Sequence, residues 1–375
     1  MSLRYATEVD RLRSPEETIA RYHRVLIEVA RAQQQTGVFS ENVAAAIENV
    51  GPPTPEAWQT WESVYRHETA GFVQAQRERV RGRRERSLVY LGLTSSNLID
   101  CSDAIAWQQV QGLLEDLIDQ THESVPWSPE WRMGRTHGRD AEPVPNDRVY
   151  QRMIRDLTHA VDLLSQTPLV GSLAGPVGEY NQALTPEIQM EVGNALGIPM
   201  DFRPTQTSSR FRVGQAAMGL VQVIGACEQV ATHHRLQSIS GIDEFREGFR
   251  EGQQKGSSVM PHKRNPMISE RICGLARVAR GYLSAILETA HTQWWERDLT
   301  NSSVEREAFW PLASLAVYVL QQTLRVLSEG EVRAPWYLNP INVPQRETPS
   351  EELIRRVLDG EDHEDVYREI QERTE

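Results

Sequence analysis

The chain has 375 residues, of which 39% are apolar and 25% charged, with a formal net charge of −12 and a pI near 5.4. That length admits two or three domains or one large helical unit. The acidic balance argues against non-specific binding to nucleic acid or to an anionic membrane, since both need a cationic face.

The first regular element is a helix announced by "SPEE". Ser14 stands at the cap, Pro15 at N1 and Glu17 at N3, and Ile19, Tyr22, Leu26 and Val29 follow at 3-4-3 spacing. The polar, proline-bearing "GPPTPE" (51–56) ends that pattern. Helical character returns over about 57–80 and again over about 97–121. The stretch 126–148 is rich in Pro and Gly and reads as irregular. A helix follows over about 146–165, and "TPLVGSLAGPVGEYN" (167–181) reads as a glycine-bearing loop.

The span 211–238 carries the strongest signal. Val213, Ala217, Leu220, Ile224, Cys227 and Ala231 keep 4-3-4-3-4 spacing, a seam of coiled-coil type. A second long helix is predicted over about 266–291, with Ile272, Ala276, Ala279, Leu283 and Ile286 on one side, and a third over about 303–328. Strand signals are weak and scattered. The fold class expected is all-α, a long central bundle, and helices of this length are expected to bury part of their surface against another subunit. The division expected is an N-terminal helical domain (1–95), the bundle (96–330, with a loop at 255–266) and a shortened C-terminal helical region (331–375).

Cys101, Cys227 and Cys273 are far apart and include no CxxC pair, which fits a reducing compartment better than a disulfide framework. "MSLRYATEVD" has no apolar core for a secretory signal. The longest nearly apolar run, "WPLASLAVYVL", has 11 residues and a proline, against the roughly 20 that a membrane span needs. A cytoplasmic protein without membrane attachment is expected. There is no HExxH, no EF-hand loop, no Cys/His cluster and no GxGxxG, so neither a metal nor a dinucleotide cofactor is expected.

Five polar islands interrupt the helices. "RHETAGF" holds His67; a lone histidine in a helical setting is commonly structural, yet imidazole is the side chain best suited to proton transfer near neutrality. "YLGLTSSNLID" places Thr94, Ser95, Ser96 and Asn97 just after a glycine at a helix start, where such side chains cap the helix and where hydroxyls with free N–H groups make an anion site. "GRTHGRDAEPV" sets His137 between two glycines, with Arg135 and Thr136 before it, so the backbone there is expected to be special. "KGSSVMPHKRNPMISER" (255–271) joins small residues to a run of cations. It is either a solvated loop or a loop prepared for an anion, and it lacks the P-loop pattern GxxxxGK[ST]. In "WWERDLTNSSVER", Arg297, Arg306, Ser302 and Ser303 form either a phosphate or carboxylate clamp or a set of surface ion pairs among Glu296, Arg297, Asp298 and Glu305.

Together these islands resemble the fumarase/aspartase superfamily. "GSSVMPHKRNP" is similar to its long and specific GSSxMPxKxNP signature, and "LGLTSSNLID" and "GRTHGRDAEP" resemble two further shared blocks. Within the superfamily the chain is most similar to the adenylosuccinate lyases, on "RYATE" near the start, "TQTSSRFR" (205–212) and "WERDLTNSSVER". The likeness runs in the family's order from residue 4 to about 370. It implies a homotetramer whose active sites each draw on three subunits, a nucleotide substrate, no cofactor, and β-elimination of fumarate from a succinyl-amine adduct.

The resemblance also implies roles. Ser257 is the expected base and His137 the acid, with Glu270 orienting His137. Lys263 and Asn265 hold the carboxylate next to the acidified carbon, Thr94 and Ser95 bind the succinyl group, and His67 is the second histidine near the substrate. Thr136, Gln206 and Ser258 are expected to contact substrate, while Arg4, Tyr5, Arg271, Arg297, Ser302 and Arg306 hold the nucleotide, largely its phosphate. Doubly charged intermediates need donors and cations in place beforehand, which accounts for these residue types. The chain departs from the family at Glu68, Tyr90, Phe211 and Trp295, and several spans are short. A sister lyase on another succinyl-amine is the alternative substrate reading. A non-catalytic bundle protein would be expected to have lost Ser257, His137 or Lys263, and all three are present.

Overall fold

A computed structural model describes residues 3–124, 131–249, 259–260, 262–333 and 347–374. The expected signature serines Ser257 and Ser258 lie outside the described residues. A short 3-10 turn, Leu3–Tyr5, leads into α1 (Glu8–Leu12), whose cap is a reciprocal box between Thr7 and Asp10. Ser314 bonds both members of that box, Thr7 Oγ1 at 2.8 Å and Asp10 Oδ2 at 2.5 Å, which pins the N-terminus to a distant helix.

α2 (Pro15–Gln35) starts as predicted: Ser14 Oγ accepts the N–H of Glu17 at 3.3 Å, and Ile19, Tyr22, Leu26 and Val29 are all buried. α3 (Val43–Val50), α4 (Pro55–Tyr65), α5 (Glu68–Arg79) and α6 (Arg83–Leu88) follow. The single helical stretch expected over 57–80 is thus two helices. Arg66 ends α4 in a left-handed conformation (φ 51°), and His67 turns extended so that its ring Nδ1 accepts the N–H of Ala70 at 3.3 Å. α7 (Ser95–Ser124) then runs for 30 residues.

The stretch expected to be irregular over 126–148 contains a hairpin of β1 (Trp131–Thr136) and β2 (Arg139–Pro145), paired antiparallel with a register shift between Met133 and Arg135. Two prolines and a glycine hide its alternation. Gly134 sits at the shift because a Cβ there would meet the carbonyl of Glu142 at 2.6 Å. α8 (Asn146–Ser165) and α9 (Pro186–Leu196) precede α10 (Arg210–Gln237), on which all six seam residues are buried. α10 packs against α8, α11 (Met267–Thr292) and α13 (Trp310–Glu329), so its burial is met on several sides.

The third long helix does not begin at 303. It is assembled from α12 (Thr300–Val304), a π turn (Glu305–Phe309) and α13. Pro311 has no N–H to give to the carbonyl four residues back, and the ladder widens so that Trp310 reaches Glu305 instead. Two-residue strands β3 (Phe245–Arg246) and β4 (Glu331–Val332) pair with each other, and α14 (Pro349–Leu358) and α15 (His363–Thr374) close the chain. One apolar core extends from Val9 through α10 to Val326. Among the described residues, no helix is long and apolar enough to cross a membrane.

Candidate active site

The start of α7 forms the floor of a polar pocket. Asn97 Oδ1 accepts both the N–H and the hydroxyl of Thr94, at 2.9 and 3.1 Å, while its Nδ2 donates to the carbonyl of Ser172 at 2.8 Å. Thr94 is therefore the turn residue that fixes the helix start, with Ser95 next to it. Ser96 is buried, and its hydroxyl has no hydrogen-bond partner among the described residues. It lines one pocket with Arg297, Ser302 and Arg306, the first of the expected nucleotide-holding sets that the chain brings together. Such a grouping of guanidinium and hydroxyl groups beside a helix N-terminus is suited to an anion.

The pocket mouth is held by an ion pair between Arg306 and Glu68. Glu68 follows His67 directly, and its backbone carbonyl accepts the indole N–H of Trp58 at 2.8 Å. His67 thus comes beside the clamp, but with Nδ1 occupied by the cap bond. Only Nε2 remains for substrate, and the ring has a structural duty as well. Arg297 Nη1 donates to Asn301 Oδ1 at 2.7 Å. Burial, followed by the charge of Arg210, lowers its affinity for its proton. Gln206 joins the same region from a loop: its N–H donates to the carbonyl of Glu296 and its Nε2 to that of Pro176, both at 2.9 Å.

A buried charge network, missed in the sequence, supports this pocket. Arg210 Nη2 donates to Asp100 at 2.7 Å, and its Nη1 bridges both carboxylate oxygens of Glu305 at 3.1 and 3.2 Å. Burial alone would push Arg210 down, yet Asp100 and Glu305 together carry it above the ordinary arginine value. Asn301 adds a bond to Glu305 at 3.1 Å, and the N–H of Ser208 one to Asp100 at 2.8 Å. The network ties α7, α10 and the π turn into one unit. It also corrects the surface-pair reading of Glu305, which is buried and serves Arg210. The available signal was Arg210 and Asp100 each standing inside a quoted block rather than beside it.

A second grouping gathers around Tyr318, which sequence reasoning did not single out. Arg271 Nη1 donates to its hydroxyl at 3.1 Å, and the ring of Tyr5 meets its ring edge-on, centroids 5.2 Å apart. Tyr5 and Arg271 are therefore neighbours, with the exposed Arg4 adjoining them. On the preceding turn of α11, the free N–H groups of Ile268 and Ser269 are taken by the carboxylate of Glu247 at 3.0 and 2.7 Å. The helix start is thereby capped by a residue of this chain. Arg264 lies over the ring of Phe249 at 4.9 Å, while Lys263 is exposed and Asn265 half-buried. Of the three consecutive cations, Arg264 is held in place and Lys263 is presented to solvent.

His137 stands apart from both groupings. It and Gly138 form the two-residue tip between β1 and β2, with φ of 54° and 77°. Positive φ at both central residues is the turn whose twist suits a hairpin, and a histidine there is uncommon. The tip is exposed, as are Thr136 beside it and Glu270 on α11. Among the described residues no hydrogen bond joins His137 to Glu270. One chain thus offers three separate surfaces: the clamp at α7, the start of α11, and the hairpin tip.

Comparison with known proteins places this arrangement. The family model described as lyase matches residues 131–281. An adenylosuccinate lyase of Synechocystis sp. is 30% identical over 358 residues, covering 92% of this chain and 81% of that protein. One from Aquifex aeolicus is 32% identical over 293 residues, covering 75% and 66%. The crystal structure of a fumarate lyase from Mesorhizobium sp. BNC1 superposes with a TM-score of 0.81 at 18% identity, covering 98% of this chain and 85% of the other. The helical bundle, the polar blocks along it and these relatives lead to one conclusion: the chain belongs to the adenylosuccinate lyase family of the fumarase/aspartase superfamily and is an enzyme of the fumarate-releasing type.

Proposed function

We propose that the protein cleaves adenylosuccinate to AMP and fumarate, and that the succinyl-carboxamide ribotide of purine biosynthesis is a second substrate. Ser257 takes a proton from the carbon next to a carboxylate, the C–N bond breaks with its electron pair going to nitrogen, and His137 returns a proton to the leaving amine. Lys263 and Asn265 meet the charge that builds on the carboxylate, Thr94 and Ser95 bind the succinyl group, and Glu270 orients His137. The observation carrying this reading is the gathering of Arg297, Ser302 and Arg306 with Ser96 in one pocket, which supports a phosphorylated substrate. His67 and Gln206, the chain neighbours of Glu68 and Thr207 on that pocket's wall, act on the same molecule. Tyr5, Arg4 and Arg271 extend the nucleotide side, with Thr136 and Ser258 completing the substrate contacts.

The reaction needs surfaces that one chain keeps apart, which supports a homotetramer with shared sites. Gly274, Val278, Gly281 and Ala285, exposed along α11, support the same assembly. We read residues 1–95 and 331–375 as helical domains flanking the bundle at 96–330, and the protein as cytoplasmic, free of cofactor, nucleic acid and membrane.

A sister lyase acting on another succinyl-amine is favoured by one feature: Trp295, with a φ of 50°, is 86% exposed beside Trp294, and Phe211 is exposed as well. Fumarate release and purine absorbance followed with adenylosuccinate decide between them. Turnover is expected, with Ser257→Ala slowing it by roughly 10²–10⁴-fold, the scale of lost general-base catalysis, while binding persists. Cleavage of a different succinyl-amine with no cleavage of adenylosuccinate would establish the sister activity instead.

A further inference from the structure

A cavity of about 950 Å³ lies outside the clamp pocket. The hairpin, α8, the end of α10 and the C-terminal helices α14 and α15 line it, and among the described residues of the expected site only Thr136 borders it. Its size is at the upper end of ordinary ligand pockets, roughly 300–1,000 Å³.

The lining is divided by chemistry. One part is apolar: Val144, Val149, Met153, Leu353 and Ile370. The other is cationic, in a protein whose net charge is −12. Arg148 and Arg152 stand four residues apart on α8, so they share a face and repel each other. Arg152 has Asp156 only at 3.9 Å with both side chains exposed, a pairing of little value. Arg132 and Arg135 border the same space. Arg135 is neutralised by Glu244, through two bonds of 2.9 Å, and by Asp140. Glu142, the carboxylate on the wall, is engaged by the N–H and hydroxyl of Ser350 at 3.1 and 2.5 Å.

Two buried polar atoms on this wall lack any partner among the described residues: Nε of Arg132 and Nε2 of His233. A buried guanidinium N–H without an acceptor is unfavourable, and an anionic ligand would relieve it. The His233 imidazole is neutral at physiological pH because burial, then Arg132, pushes it down to about 4, so it offers one N–H or one lone pair. These groups have no part in the elimination outlined above.

We propose that this cavity binds a small amphiphilic anion, an apolar chain or ring bearing one carboxylate, sulfonate or phosphate. The head is held by Arg132, Arg148 and Arg152, and the body lies along Val149, Met153, Leu353 and Ile370. Because Gly134 and Thr136 border the cavity, the occupant packs against the hairpin that presents His137.

The probe is 8-anilinonaphthalene-1-sulfonate, an aromatic monoanion that fluoresces when shielded from water. Titration into the full-length protein is expected to show one saturable site. The paired substitution Arg148→Ala/Arg152→Ala, on exposed positions, should weaken it at least about tenfold, the scale of a lost charge-assisted contact. Leu353→Glu should weaken it similarly from the apolar side, and far-UV dichroism confirms that either variant is folded. Octanoate should displace the dye, while octanol, equal in chain length but uncharged, should not. The proposal is overturned by unchanged affinity in both variants, by equal displacement with octanol, or by displacement with fumarate, which would put the dye in the active site. Since the readout is binding, it stands or fails independently of which succinyl-amine is cleaved.

Discussion

At the scale of single residues, the clearest consequence comes from the histidine pair at the end of α10. His234 is fully buried, stacked on Phe245 with centroids 3.9 Å apart, and neither of its ring nitrogens has a hydrogen-bond partner among the described residues. Burial, then the neighbouring His233, pushes it down to about 3, and burial pushes His233 to about 4. In the unfolded chain both imidazoles take up protons near pH 6.5, whereas the folded protein resists until far lower pH. The unfolded state therefore binds more protons throughout that window, and stability falls as pH drops from about 6.5 towards 4. Each histidine contributes a slope of up to roughly 1.4 kcal/mol per pH unit. His234→Phe should hold or raise stability at pH 7.5, because a polar ring without partners is exchanged for an apolar one. It should also remove about one proton's worth of the acid slope. Urea unfolding of both proteins between pH 7.5 and 4 measures this, and an unaltered slope in the variant would mean that the acid sensitivity arises elsewhere.

At the scale of elements, the break between α4 and α5 carries His67 and Glu68, and its geometry depends on Gly71. A Cβ on Gly71 would come within 2.6 Å of the backbone nitrogen of Glu62 and 2.8 Å of its Cα. Backbone atoms cannot swing aside as a side-chain end can, so Gly71→Ala must push α5 off α4. The expected cost is about 1–3 kcal/mol, as for overpacking in a dense interior. The expected effect on catalysis is a higher KM, because the Glu68–Arg306 pair and the His67 cap move with the helix. Thermal unfolding and steady-state kinetics on the same variant test it; a lowered melting temperature with unchanged KM would detach this helix pair from the substrate. The sequence could not show this break, because helical periodicity continues across 57–80 and the interruption rests on a histidine acting as a cap. The hairpin was hidden for the opposite reason, since prolines and glycine erased a period that backbone pairing restored. The α10 seam, by contrast, was legible throughout: a helix packed on several sides has few positions at which a polar residue is tolerated.

At the scale of the molecule, the blocks that carry the chemistry were readable one by one, but their grouping was not. Tyr318, Asp100, Arg210 and Glu305 have their roles only once helices distant in sequence come together, and no spacing rule reports on that. The same separation leaves one face of the bundle unaccounted for. On α11, Gly274, Val278, Gly281 and Ala285 recur at 4-3-4 spacing, and all four are exposed. A Cβ on Gly274 or Gly281 would meet nothing within 4 Å. Glycine in an exposed helix interior costs about 1 kcal/mol relative to alanine. Phe211 and Met218 on α10 are exposed as well. Such a stripe lets another helix approach closely, as the proposed tetramer requires, and it gives a sharp test. Gly281→Arg improves helix propensity and has room in a single chain, so far-UV dichroism should be unchanged or slightly stronger. At a close helix–helix contact the same side chain cannot be accommodated, and sedimentation velocity should show species smaller than those of the wild type. Activity should fall with the assembly, because His137, the clamp and the start of α11 would no longer meet. A Gly281→Arg protein that remains tetrameric and active would move the interface off this face, and a monomeric wild type that turns over substrate would remove the shared site altogether.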